Sequence, residues 1–185
     1  MVLVLRELQV KEDESLLLMV QEIGQGGNGF VNGLNSGGME EFVSKVQRNY
    51  EMARGIDLPD EYVPQTIYWL YDNDKPVGYG KLRHRLNENL LELGGHIGYV
   101  IRPSERGKGY GKRLLAELVK KAYDKNISRV LLTCDESNLA SRCIIEWNHG
   151  ELSSITNGTC KYWIETAAGH KLGGSNANQH ALGER

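Results

Sequence analysis

The stretch VIRPSERGKGYGKRLL, residues 100–115, constrains the fold more than any other part of the chain. An apolar run ends at Arg102-Pro103, and a leucine-rich helical pattern begins at Tyr110. Between them Gly107, Gly109 and Gly111 stand at alternate positions. Strand, tight loop and helix must therefore follow one another directly. Glycine costs backbone entropy at a helix start, and a single glycine suffices for a turn. Three glycines imply that something needs bare backbone. The unpaired N–H groups of a first helical turn, at the positive end of its dipole, then form a cradle for phosphate. Arg106, Lys108, Lys112 and Arg113 surround that cradle with positive charge.

The rest of the chain supplies a sheet and helices around this unit. VLVLRELQV reads as a first strand, and EDESLLLMVQEIG as a helix with Leu16, Leu17, Val20 and Ile23 on one face and Gly24 as its stop. GQGGNGFVNGLNSGG is expected to be a long loop. A second helix over MEEFVSKVQRNYEMARG places Met39, Phe42, Val43, Val46 and Tyr50 on one face. TIYWLYDNDKPVGYGKLRHRL is a hairpin turning at Asp72-Asn73-Asp74, and GGHIGYVI is a further strand. The helix after the glycines carries a stripe of Leu114, Leu115, Leu118, Val119 and Ala122. SRVLLTCD is a short buried strand, and SNLASRCIIEWNHG a helix with Ala140, Cys143, Ile144 and Trp147 on its inner face and Gly150 as its stop. Asn157-Gly158 turns a closing hairpin. Hairpins first and a strand-helix-strand crossover later predict an α/β (α+β) fold, with a mixed sheet covered by helices. One domain over residues 1–166 and a polar tail over 167–185 account for the chain.

Composition narrows the function. A formal net charge of −2 over 185 residues excludes a general nucleic-acid binder, and the basic loop has only Tyr110 as an interleaved aromatic. The charge is unevenly spread: residues 1–60 hold ten acids against five bases, and residues 102–125 hold eight bases against three acids. One region is suited to an anion and the other to a cation. Cys134, Cys143 and Cys160 form no CxxC pair, which predicts reduced thiols and no metal site. The opening MVLVLRELQV meets charge at Arg6 and Glu7, and no apolar run approaches the ~20 residues that span a bilayer. A cytoplasmic protein without membrane contact is expected.

The glycine spacing fits neither G-x-x-x-x-G-K-[ST] nor G-x-G-x-x-G. The run Arg106-Gly107-Lys108-Gly109-Tyr110-Gly111 instead resembles the R/Q-x-x-G-x-G/A signature of the GNAT superfamily of N-acetyltransferases. The preceding VIRPSE and the downstream VLLTCD and NLAS…NHG are similar to that family at its spacing, over roughly residues 66–165. The run from YVPQ to GYG looks like a bacterial subgroup of predicted acetyltransferases. The resemblance implies a mostly antiparallel central sheet flanked by helices, with acetyl-CoA as cosubstrate and no metal. It implies transfer of an acetyl group to an amine.

Residue by residue, the resemblance assigns the pyrophosphate to Arg106, Gly107, Lys108, Gly109, Tyr110, Gly111 and Lys112. It assigns polarisation of the thioester carbonyl to a backbone N–H of the preceding strand, which carries Tyr99, Val100 and Ile101. Asn138 and Ser141 match the helix near the pantetheine arm, and Asn138 also reads as an N-cap. His96 and His84 are candidate bases, although strand parity can turn His96 out of the cleft. The family's usual acid, a tyrosine in the downstream helix, reads Ile145 here, and its usual glycine reads His149. The thiolate then leaves unassisted or another group substitutes. These departures leave a second reading open, a catalytically impaired acetyl-CoA-binding sensor of the same fold. GQGGNGFVNG is expected to border the acceptor pocket, and the closing hairpin to be able to pair across a homodimer.

Overall fold

The computed structural model describes residues 2–167. From its first strand the chain runs β1 (Leu3–Glu7), α1 (Glu14–Ile23), a short hairpin of β2 (Gly26–Gly27) and β3 (Phe30–Val31), then α2 (Met39–Met52). The central hairpin follows, β4 (Gln65–Asp72) and β5 (Lys75–Arg83), then α3 (Glu88–Glu92) and β6 (Ile97–Ile101). A 3-10 turn (Pro103–Glu105) leads to α4 (Tyr110–Asp124), and β7 (Arg129–Asp135), α5 (Leu139–Trp147), β8 (Glu151–Thr156) and β9 (Thr159–Glu165) complete the described chain. Besides the two-stranded β2–β3 pair there are two larger sheets, ordered β1-β4-β5-β6 and β7-β9-β8, and every pairing is antiparallel. Antiparallel sheets flanked by helices are the architecture expected from the sequence. Most of the tail expected over 167–185, from residue 168 onward, lies outside the described residues.

The β4–β5 hairpin is the middle of the molecule because both its faces are covered. Ile67, Trp69 and Tyr71 face one core and Tyr68 and Leu70 the other. That two-sided burial explains why β4 is apolar without alternation. Its turn holds Asn73 at φ 53°, a left-handed position that asparagine tolerates. The first core lies under α1 and α2, where Leu16, Met19, Val20, Phe42 and Val46 are buried against Trp69 and Tyr79. Asp13 starts α1 by accepting the Ser15 N–H at 2.8 Å. The second core lies under α4, whose Leu114, Leu115, Leu118 and Ala122 are fully buried. Each such leucine contributes roughly 1.5–3 kcal/mol, so the stripe holds the cradle loop to the sheet.

The structure departs from expectation in five places. The glycine-rich segment after α1 is not a plain loop: it folds into the β2–β3 hairpin, held by Asn32. The buried Asn32 Nδ2 donates to Val20 O (2.8 Å) and Gly24 O (2.6 Å), and its Oδ1 accepts the Tyr79 hydroxyl at 2.6 Å. On α2 only Phe42 and Val46 are buried, while Met39 and Val43 face water. On α5 the inner face is different: Ile145 is buried, Trp147 is half exposed, and Ala140, Cys143 and Ile144 line a cleft. This helix ends through His149, which takes φ 63° one residue before Gly150. Finally, α3 was not anticipated, although Asn87 caps it by accepting the Leu90 N–H at 3.0 Å.

Candidate active site

The two sheets meet at β6 and β7, and hydrogen bonds join these elements at one end. The His96 N–H donates to Leu131 O at 2.7 Å, and the Leu131 N–H donates to His96 Nδ1 at 2.9 Å. Beyond that clasp the strands belong to separate sheets. A cleft of about 710 Å³ opens there, walled by the β2–β3 hairpin, β5, β6, β7, the cradle loop and α5. Tyr99 Oη and Ser141 Oγ meet across the gap at 3.1 Å.

The cradle occupies one end. Gly107 (φ 79°) and Gly109 (φ 83°) are left-handed, and a Cβ at either would meet open space. Their conformation, not crowding, requires glycine there. Gly109 brings no capping side chain, so the first-turn N–H groups of α4 are available to an oxyanion. Gly111 has another reason. It is buried inside α4, and a Cβ there would sit 2.7 Å from Ile144 Cδ1. It lets α4 and α5 pack.

Of the expected basic residues, Arg106 and Lys112 line the cleft. Arg106 Nε donates to Ile101 O at 3.2 Å, and the Lys112 ammonium lies 5.3 Å from the Trp147 ring centroid. Lys108 lies outside the lining, because its ammonium pairs with Glu105 Oε2 at 2.7 Å. Lys75 pairs with the other carboxylate oxygen. Hydrogen bonds from Lys108 and Lys75 hold the Glu105 carboxyl down to about 2.

The amides of β6 divide by parity. At its two ends, Arg83 N–H donates to His96 O and Arg102 N–H to Val77 O. The register between is unbroken. In an antiparallel ladder the even residues therefore bond to β5, and Ile97, Tyr99 and Ile101 turn their amides toward the gap. Val100, expected with Tyr99 and Ile101 to supply a polarising N–H, turns its amide into the sheet. Side chains alternate too: Tyr99 and Ile101 face the α4 core, and Val100 the opposite one.

Neither candidate histidine lines the cleft. His96 is buried and fixed as the clasp with Leu131; burial and the nearby Arg83 charge push its pKa down to about 4. Because Nδ1 accepts, the neutral ring carries its proton on Nε2. His84 lies 2.8 Å from Thr66 Oγ1 through Nε2, and burial lowers its pKa. Ile145, at the family's acid position, is in the core. Tyr110 lines the cleft but donates its hydroxyl to Asp72 at 2.6 Å, and Tyr162 donates to Glu146 at 2.9 Å. Tyr99, Asn138 and Ser141 all line the cleft, and Asn138 caps α5 by accepting the Ser141 N–H at 3.1 Å. Burial pushes the Tyr99 phenol up to about 12, so it is a proton donor throughout the neutral range.

The opposite end is lined in part by the GQGGNGFVNG segment and in part by β5 and β6 residues that the sequence alone did not single out. Phe30 and Val31 from the hairpin face Lys81 and Arg83 of β5 and Gly98 of β6. Phe30 packs edge-on against Tyr79 at 5.4 Å between centroids, so the Asn32–Tyr79 bond sets the hairpin's height over the cleft. Desolvation, then the neighbouring Arg83 charge, lowers the Lys81 ammonium to about 8. Two bases at alternate positions in an otherwise buried strand, Lys81 and Arg83, were the available signal. Residues 1–60 meet the cleft only through Gly27–Val31, and no acid of that segment lines it. Glu22 binds Arg102 and the Ser104 N–H instead, and Glu12 accepts the Trp69 indole N–H at 2.8 Å. Among the described residues no helix is long and apolar enough to cross a membrane, and no group of three His, Cys, Asp or Glu could hold a metal ion.

Comparison with known proteins agrees with this geometry. The model of the Acetyltransferase (GNAT) family matches residues 39–144. Among solved structures, Campylobacter jejuni N-acetyltransferase PseH in complex with acetyl coenzyme A is 9% identical, with 89% of this chain and 99% of that one covered and a TM-score of 0.61. An N-acetyltransferase from Staphylococcus aureus Mu50 is 12% identical (90% and 99% covered, TM-score 0.62). The ribosomal L7/L12 alpha-N-protein acetyltransferase RimL in complex with coenzyme A is 20% identical (88% and 93% covered, TM-score 0.63). At such identities these likenesses show the fold. No curated protein matches the sequence. The family match covers more than half the chain and decides the assignment: the chain belongs to the GNAT acetyltransferase family.

Proposed function

We propose that the protein transfers the acetyl group of acetyl-CoA to an amine acceptor. One observation carries this reading above the others: the cradle at Arg106–Lys112 opens directly onto the gap between β6 and β7. A diphosphate at the α4 N-terminus and a thioester in the gap would then be one molecule. PseH, on the same fold, is in complex with acetyl coenzyme A, which supports this choice of cosubstrate. Bound there, acetyl-CoA supplies the activated acyl group.

The chain's own residues account for the remaining work. Arg106, Lys112 and the amides from Gly107 to Gly111 hold the diphosphate. The Tyr99 amide, turned into the gap, polarises the carbonyl. The Tyr99 hydroxyl, hydrogen-bonded to Ser141, donates a proton to the departing thiolate in place of the tyrosine that Ile145 replaces. Asn138 holds Ser141 by capping α5. His96 and His84 keep structural roles, so proton removal from the acceptor falls to solvent. The β2–β3 hairpin, with Phe30 and Val31, borders the acceptor end.

The sensor reading draws on the clasped His96 and the buried Ile145, and the Tyr99–Ser141 pair weighs against it. Calorimetry with acetyl-CoA and thiol release with an amine panel test both. Binding with amine-dependent thiol release supports the enzyme. Binding without release from any amine supports the sensor, and absence of binding removes both.

A further inference from the structure

The charge of the acceptor end restricts what can enter it. Lys81 and Arg83 stand two residues apart on one face of β5 and both line the cleft. Lys81 Nζ donates to Val31 O at 2.7 Å and lies 4.7 Å from the Phe30 ring centroid. Arg83 Nη1 donates to Gly94 O (3.2 Å) and Gly95 O (2.9 Å). Its Nε and Nη2 have no hydrogen-bond partner among the described residues. Neither side chain forms an ion pair there either. The carboxylates that line the cleft are Glu105 and Asp135; Glu105 is engaged by Lys75 and Lys108 at the cradle end, and Asp135 closes β7.

Two like charges side by side, partly out of water and without a counterion, raise each other's free energy. Desolvation first, and the Arg83 charge second, lower the Lys81 pKa accordingly. An anion placed between them would relieve it and recover charge-assisted hydrogen bonds from the Arg83 fork. A second ammonium, which a polyamine would bring, would add to the repulsion. We infer that the acceptor is a primary amine carrying an anionic group, a carboxylate or a phosphate, which Lys81 and Arg83 bind while the amine reaches the gap beside Tyr99. This inference rests on the acetyl-transfer reading above.

Matched acceptors test it on the full chain by thiol release: glycine against glycine methyl ester, O-phosphoethanolamine against ethanolamine, and spermidine. An anionic member should exceed its neutral or cationic counterpart in kcat/KM by about tenfold or more, the scale set by one charged contact. Whether glycine or O-phosphoethanolamine leads tells carboxylate from phosphate. Lys81→Met should erase the preference and Lys81→Glu should turn it toward spermidine, each with acetyl-CoA affinity by calorimetry within about twofold of the parent. Equal or better transfer to the ester, ethanolamine or spermidine overturns the inference. So does failure of both anionic amines while acetyl-CoA binds. Loss of acetyl-CoA binding by the unmodified protein takes down the acetyl-transfer reading as well.

Discussion

His96 and the backbone of Leu131 form a two-bond clasp at the end of the cleft: the His96 main-chain N–H donates to Leu131 O at 2.7 Å, and the Leu131 N–H donates to the imidazole Nδ1 at 2.9 Å. The second bond exists only while Nδ1 is unprotonated. Folding therefore lowers the pKa from 6.5 to about 4, and on acidification the unfolded chain takes up the proton first. This contribution to stability is intact above pH 6.5, is lost as the pH falls from 6.5 to 4, and changes no further below. The loss should be on the order of 2 kcal/mol once partial solvent access is discounted. Denaturant unfolding between pH 7 and 4, compared for the parent and His96→Ala, should show a steeper loss in the parent, the difference being the His96 contribution; His84, also lowered, titrates in both. The same variant should keep any near-neutral limb of the pH–rate profile; disappearance of that limb would make His96 the base.

Gly109 and Gly111 should fail in opposite ways. Alanine at Gly109 meets no neighbour but is held at φ 83°, at a cost of about 1–2 kcal/mol, relieved by turning the loop amides. Acetyl-CoA affinity should fall by tenfold or more, about the worth of one charged hydrogen bond, with the fold retained. Alanine at Gly111 presses on Ile144 Cδ1 at 2.7 Å, the movable end of a side chain. Stability should drop by about 1–3 kcal/mol, with a smaller effect on affinity. Calorimetry and thermal unfolding on both variants check the contrast. If Gly109→Ala binds acetyl-CoA normally, the amides of this loop hold no phosphate.

These two glycines look alike in the sequence, yet one answers to its own left-handed backbone and the other to Ile144 on a different helix. The same distinction runs through the fold. The α4 stripe was legible because one face is buried and the other wet, which leaves a clean helical period. Both hairpin turns were legible because Asn73 and Asn157 take left-handed angles that few residues tolerate. The face of α5 was not legible: Ala140, Cys143 and Ile144 are small or apolar because they line a cleft, and a cleft selects residues much as a core does. The β2–β3 hairpin escaped notice because it depends on an Asn32–Tyr79 bond across 47 residues. Lys81 and Arg83 became site residues only once β5 was known to border the gap.

Tyr99 offers the most direct test of chemistry. Its phenol, pushed up to about 12 by burial, stays protonated at neutral pH and lies 3.1 Å from Ser141 Oγ in the cleft. Tyr99→Phe keeps the ring and removes the proton. Turnover should fall by about tenfold to a hundredfold, at the low end of general-acid contributions because a thiolate leaves readily. The KM for acetyl-CoA should move by less than about threefold, since the lost interaction belongs to the transition state. Ser141→Ala should act in the same direction more weakly. Unchanged turnover in Tyr99→Phe would mean that the thiolate leaves without help from this chain.

The basic residues around the cradle should divide according to where their charges are held. Lys108 lies between Gly107 and Gly109, yet its ammonium is held by Glu105, which Lys75 engages from the other side. That carboxyl, held down to about 2, stays ionised throughout the neutral range and keeps both lysines turned toward it. Lys108→Ala should therefore change acetyl-CoA affinity by no more than about twofold. Arg106 and Lys112 line the cleft with no acidic partner among the described residues. Alanine at either should weaken binding by about tenfold, the value of a charge-assisted contact to phosphate. The loss should shrink as salt is raised, because these charges are partly exposed. Equal losses at Lys108 and Lys112 would show that the Glu105 pair opens when the diphosphate arrives, and that Lys108 joins the cradle.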